Sequence, residues 1–208
     1  MGIKDLSQLS DMHIDVLREI GNIGAGNAAT SLAQMLNRKI DMTTPSVRIM
    51  DITDVDKAMG GPETPVVAIL VEITGDIHGI MMFVVGKPFT QLLLQVLLGE
   101  ETKPDCMNLT DIENSALSEI GNIMIGSYVN AIASISNLKI DISVPAVTAD
   151  MVGSLLTVPA AEMGAVSDKI IFVEDDFKNA DDRITANMML IPSLDSLEKL
   201  MNGLGIEL

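Results

Sequence analysis

Asp15-Val-Leu-Arg-Glu19-Ile-Gly-Asn22 returns one hundred residues later as Ser115-Ala-Leu-Ser-Glu119-Ile-Gly-Asn122. Laid over one another without a gap, residues 17–47 and 117–147 are identical in 14 of 31 columns. Unrelated segments of that length share roughly two or three. The kept columns are polar as well as apolar: Glu19, Asn22, Asn37, Lys39, Asp41 and Pro45 persist beside Leu17, Ile20 and Val47. The chain reads as a duplication within one domain, residues 1–208, with repeats at about 8–102 and 108–208.

Working outward from the first copy, residues 10–37 are expected to form one long helix, with Ser10 or Asp11 as N-cap. Val16, Leu17, Ile20 and Ile23 recur at the helical period and predict a buried face. Asp15, Glu19 and Asn22 fall within a sector of roughly 60° on another side. Gly21, Gly24 and Gly26 each cost about 1 kcal/mol relative to Ala inside a helix. Either a second helix or a ligand backbone must therefore approach closely. Lys39–Asp51, with Pro45, predicts an edge strand, where a missing amide is tolerated. Asp51–Met59 predicts a short helix, and Pro65–Ile73 with His78–Val85 a hairpin. Phe89–Leu98 predicts a helix stopped by Gly99.

Glu100–Asn108 reads as a linker, after which the plan repeats. Residues 110–137 predict the second motif helix and 139–149 the strand with Pro145. Asp150–Gly164 reads as a longer second helix than its counterpart. Lys169–Glu174 and Ala186–Pro192 read as a hairpin with a long acidic loop, and Ser193–Gly205 as the last helix. Helix-strand-helix-strand-strand-helix, twice, is an α+β pattern. The two halves are expected to pack about a pseudo-twofold axis, with the motif helices on a mainly antiparallel sheet.

Composition narrows the function. Apolar residues make up 48% of the chain and charged ones 20%, enough to bury a core. A net charge of −16 argues against nucleic acid and anionic membranes as partners. No run of 18 apolar residues predicts membrane insertion, and no signal peptide is read at the N-terminus. The single cysteine, Cys106, reads as an unpaired thiol in a connector and fits a reducing, cytoplasmic setting. The 15 methionines read first as fillers of irregular core gaps.

Ordinary catalytic equipment is missing: there is no GxSxG, Walker loop, HExxH or CxxC pair. His13 and His78 have no counterpart at 113 and 178 and read as surface or turn residues. Gly24-Ala-Gly26-Asn-Ala-Ala29 matches a dinucleotide fingerprint, but no strand precedes it and the second copy reads Met124-Ile-Gly126-Ser-Tyr-Val129, so the nucleotide reading is set aside. What remains is the duplicated Glu-x-x-Asn. In one reading it is structural, with Glu19 capping or salt-bridging and Asn22 bonding a neighbouring helix. In another it is a metal site, for which two ligands are too few to bind tightly. In a third, carboxylate and carboxamide anchor a partner's lysine and place a water. Phosphoryl transfer needs little more, since its catalysis is mostly positioning and charge neutralisation.

[Asp/Ser]-x-x-x-Glu-x-x-Asn-x22-Pro, present at 15–45 and 115–145, resembles the signature of the CheC/CheX/FliY phosphatases of bacterial chemotaxis. The resemblance covers both halves. Two intact motifs and no added flagellar switch domain look most like the CheC branch. The resemblance implies a hydrolase acting on phosphorylated CheY, a response regulator with a labile phosphoaspartate. Asn22 and Asn122 would orient the attacking water, and Glu19 and Glu119 would pair with the lysine beside the phosphoryl group. Mg²⁺ would come with the CheY substrate, and this chain would bind no cofactor or metal of its own. Asp15 and Ser115 would support the motif, and Pro45 and Pro145 would shape the following strand. The resemblance further implies binding of CheD, a receptor glutamine deamidase, through the helix at 150–159, with Asp150 in contact. That segment reads equally as a helix covering the sheet. The chain is expected to act as a monomer. Alternatives to the enzyme are a module that mainly sequesters or regulates CheD and a structural switch component.

Overall fold

The computed structural model describes residues 9–37, 41–42, 45–99, 101, 103–163, 169–179 and 182–206. The first motif lies on α1 (Asp11–Leu36) and the second on α4 (Asp111–Ser136). Their ends are built alike. The backbone N–H of Ser10 donates to His13 Nδ1 at 2.9 Å, and that of Thr110 to Glu113 Oε2 at 2.8 Å. Each side chain thereby supplies the acceptor of a capping box. Both helices stop at an asparagine in the left-handed region, Asn37 at φ 48° and Asn137 at φ 57°, which accounts for that kept column. His13 is thus a buried capping residue rather than the surface or turn residue its isolation in the sequence suggests, whereas His78 is exposed beside the first hairpin turn.

The strands are β1 (Asp41–Met42), β2 (Ser46–Asp51), β3 (Pro65–Gly75), β4 (Gly79–Gly86), β5 (Ile140–Ile142), β6 (Ala146–Met151), β7 (Lys169–Asn179) and β8 (Asp182–Pro192). All pair antiparallel in one sheet: β7, β8, β4 and β3 run through the middle, β1 and β2 line the β7 edge, and β5 and β6 line the β3 edge. The central strands are apolar on both faces over Val66–Val71, Met81–Val85, Ile170–Val173 and Met188–Ile191. Met81, Phe83, Val85, Met188 and Leu190 enter one core with α1, α3 (Lys87–Leu98), α4 and α7 (Leu194–Gly203). Met82, Val84, Met189 and Ile191 enter a second core with α2 (Ile52–Ala58) and α5 (Val152–Leu155). A strand covered on both faces reads as an unbroken apolar run, as Ile80–Val85 does.

The pairing registers repeat from half to half. Ser46 faces Glu174 and Ala146 faces Leu70, so each half's edge strand completes the other half's hairpin. Positions 70 and 174 differ by 104, and their hairpin partners, Met82 and Asn187, differ by 105. Phe83 is paired with Met188, its own counterpart under that offset, which places a local twofold between them. The β3 edge also carries a bulge. Ile142 faces Ile73 but Ala146 faces Leu70, leaving Ser143–Pro145 opposite two residues. The Ser143 hydroxyl accepts the Glu72 N–H at 3.0 Å there. On the β7 edge the register moves by the same amount from Met42, opposite Phe177, to Ser46, opposite Glu174. Pro45 and Pro145 therefore stand where each edge strand resumes.

The expected order of elements is present, with three local corrections. Asp150 is in β6, opposite Val66, rather than at the head of a helix. The strand runs to Met151, and two short helices, α5 and α6 (Thr157–Met163), come after it. The expected acidic loop of the second hairpin is mostly strand, because Asp175 and Asp176 have side-chain partners in Tyr128 and Thr185. Ile23 is 38% exposed, outside the buried arc of α1 formed by Leu17, Ile20, Gly21, Gly24 and Ala28. Lys39, Ile40 and Gly164 lie outside the described residues.

Candidate functional site

The two motif helices lie side by side on one face of the sheet. Gly24 is where they come closest: a Cβ there would stand 2.6 Å from Tyr128 Cδ1 and 3.1 Å from Tyr128 Cα. Gly21 lies over β2, with an added Cβ 3.0 Å from Val47, and one at Gly121 would overlap Ile69. Gly26 and Gly126 face open space. Close helix–helix and helix–sheet approach therefore explains two of the three glycines in the first motif, and only Gly26 is left free for a ligand to approach.

The local twofold reverses the direction of one helix relative to the other, and the Gly24–Tyr128 contact puts their crossing near residues 26 and 126. Asn22 and Asn122 are each four residues from that crossing, on opposite sides. At 1.5 Å per residue and an interaxial distance of 8–10 Å, their Cα atoms are roughly 15 Å apart. These are two separate sites on one helix layer.

Glu19, Glu119 and Asn122 are exposed and Asn22 is half-buried. Among the described residues, no side chain hydrogen-bonds or ion-pairs with any of the four. The structural reading of the motif, with a salt-bridging glutamate and an asparagine tied to a neighbouring helix, has no such contact there. Exposed Asp15 accepts from Arg18 Nη1 at 2.5 Å, so the guanidinium beside the first motif is already engaged. In the second motif Ser115 is exposed and Ser118 replaces Arg18. The sequence reading missed Ile23, which stands exposed beside Asn22 and offers an apolar contact.

No group of three metal-ligating side chains occurs among the described residues. The motifs thus offer a carboxylate, a carboxamide and room for a partner, with no unengaged cation between them among the described residues. Cys106 is unpaired and buried, and burial pushes its thiol pKa up. No described helix is long and apolar enough to cross a membrane.

Asp150 lies on the other side. Ala149 packs toward the motif-helix core, so the alternation of β6 turns Asp150 to the α5 face. It is half-buried, its carboxylate accepts from the Met151 N–H at 2.7 Å, and Met151 and Val158 are exposed nearby in sequence.

Comparison with known proteins agrees with the duplicated signature. A model of the CheC-like family matches residues 12–49 and 112–148. The CheY-P phosphatase CheC of Bacillus subtilis is 35% identical over 207 residues, covering 96% of this chain and 97% of that protein. The flagellar motor switch phosphatase FliY of the same organism is 37% identical over 145 residues, 70% of this chain and 38% of FliY. The crystal structure of Thermotoga maritima FliY superposes with a TM-score of 0.73 at 25% identity, covering 95% of this chain and 98% of that one.

Proposed function

This chain belongs to the CheC-like family, and on that premise we propose that it is a hydrolase that dephosphorylates the response regulator CheY. The observation that carries the reading is the same on both helices: Glu19 and Asn22, like Glu119 and Asn122, are offered to solvent without a partner among the described residues. Solvent-accessible, uncommitted polar groups placed twice on a helix are suited to completing another protein's site.

In the proposed reaction the regulator brings the phosphoaspartate, its Mg²⁺ and a lysine. The glutamate pairs with that lysine and fixes the docked geometry. The asparagine amide holds a water in line with the phosphorus. Water oxygen bonds to phosphorus as the aspartyl oxygen leaves, giving inorganic phosphate and the free carboxylate. No covalent intermediate forms on this chain, and its part is alignment, which suffices for a reaction dominated by positioning. Asp15 and Ser115 support the motif turn. The protein acts as a cytoplasmic monomer.

A second surface is proposed for CheD. Asp150 lies on the opposite face of the sheet from the motifs, and Met151 and Val158, close to it in sequence, are exposed. Its placement leaves both motif helices uncovered when CheD is docked.

The test is the decay of phosphorylated CheY in Mg²⁺ with and without this protein. Acceleration that disappears in the Asn22→Ala/Asn122→Ala double variant supports the enzyme. An equal rate with the folded protein present would leave the CheD-binding module as the function.

A further inference from the structure

The two motifs rest on different floors. Gly21 and Gly24 of α1 lie over Val47, Val173 and the ring of Tyr128. Tyr128 reaches from α4 to β7, where its hydroxyl donates to Asp175 Oδ2 at 2.5 Å. Asp175 is fully buried, and its Oδ1 has no hydrogen-bond partner among the described residues. In the other half the counterparts of Tyr128 and Asp175 are Ala28 and Val71, both buried and apolar. The only fully buried carboxylate among the described residues therefore sits one layer below the first motif, and nothing equivalent sits below the second.

We propose that the Tyr128–Asp175 hydrogen bond is a positioning element for the first motif alone, holding the Glu19–Gly24 turn of α1 at the height at which it meets its partner. The inference rests on the phosphatase reading of the two motifs. Geometry carries it. Gly24 has no side chain with which to adjust, so the position of the Tyr128 ring sets how far α1 can settle on the sheet. The phenol is in turn tethered to a rigid central strand. Without the tether the ring turns, the orphaned carboxylate draws in water, and the turn bearing Asn22 shifts. Misplacement by a fraction of an ångström is enough to slow a reaction that depends on alignment.

The two motifs are read separately in Asn122→Ala, which retains the first, and Asn22→Ala, which retains the second. Tyr128→Phe is added to each, and decay of phosphorylated regulator is followed. In the first background kcat should fall by about tenfold or more with little change in KM. In the second the rate should stay within about twofold. Asp175→Asn keeps an acceptor for the phenol and should preserve the first motif. Equal loss in both backgrounds, or loss in neither, overturns the proposal. Hydrogen exchange supplies a readout that needs no activity. Tyr128→Phe should speed exchange of amides 19–24 and spare 119–124, and unchanged exchange in both stretches also overturns it. If neither asparagine background accelerates decay before Tyr128 is touched, the phosphatase reading has failed, and exchange still decides whether the pair holds the turn. Should Tyr128→Phe alone unfold, Tyr128→Phe with Asp175→Val copies the apolar floor of the other half and repeats both measurements.

Discussion

Gly24 of α1 stands over the ring of Tyr128 on α4 so closely that a methyl group at position 24 would fall 2.6 Å from Cδ1. Two residues along the same helix, a methyl at Gly26 would meet nothing within 4 Å. The two glycines are close neighbours on one helix and have opposite reasons to exist.

Gly24→Ala should therefore destabilise the protein by about 1–3 kcal/mol, since overpacking outweighs the gain in helix propensity. Gly26→Ala should stabilise it by up to about 1 kcal/mol. Urea midpoints at constant m-value measure both. A stabilised Gly24→Ala would mean the helices are not in close contact there.

Asn22→Ala and Asn122→Ala should each remove part of the phosphatase activity, and the double variant all of it. The two positions are roughly 15 Å apart along and across the helix pair, so the losses should add. Stability should move by no more than about 0.5 kcal/mol in either single variant, because the side chains have no partners to lose. Large unfolding of the double variant would identify the pair as structural.

Asp175 is pushed up to about 6 from the usual 3.8 by burial, with Asp176 and Glu174 on the same strand adding repulsion and the Tyr128 hydrogen bond working the other way. Ala186, its neighbour across β8, contributes no charge. A carboxyl whose folded pKa lies above its unfolded one favours the folded state fully below about 4, and that contribution is lost as pH rises through about 6. Linkage makes the loss on the order of 3 kcal/mol. The difference in unfolding free energy between wild type and Asp175→Asn should therefore change across pH 4–6 and be flat above pH 7. Tyr128 is the sole tyrosine in a chain without tryptophan, so its emission reports the same titration directly.

Asp150→Ala should weaken CheD binding and leave dephosphorylation of CheY unchanged, since Asp150 faces away from the motif helices. Among the described residues its carboxylate bonds the adjacent Met151 N–H alone, so the stability cost should stay below about 1 kcal/mol. Titration of labelled CheD against both proteins decides it: equal affinity would remove Asp150 from the interface.

The helix ends, the edge prolines and the two hairpins were legible in the sequence because each has a local cause. Capping residues at 10 and 110, the αL asparagines at 37 and 137, and apolar runs of strand length all act within a few residues. Asp150 misleads because an aspartate before an apolar stretch resembles an N-cap. The true cap position is Met151, the counterpart of Asp51, and β6 continues through Asp150 to pair with β3. Asp175 reads as loop because nothing nearby announces its partner: Tyr128 lies 47 residues away. The motif positions were legible as a repeated pattern. Their freedom from internal partners was not, because that depends on how α1 and α4 turn against the sheet. Ile23 shows the difference, being apolar by type and exposed by rotation.

Because each half's edge strand is received by the other half's hairpin, the protein has no self-sufficient first half to make during synthesis. Arg48 on β2 meets Glu174 on β7 across 126 residues of chain. At ordinary translation rates that interval lasts on the order of ten seconds. Throughout it β2 has no strand to join, and the β3–β4 hairpin, once made, stays open along β3 until β5 and β6 emerge and along β4 until β8 does. Nascent chains on one message would carry matching open edges at the same moment. Correct assembly is then a race between the arrival of the chain's own second half and capture by a neighbour's, and exchange of halves between two copies is the misassembly this topology invites.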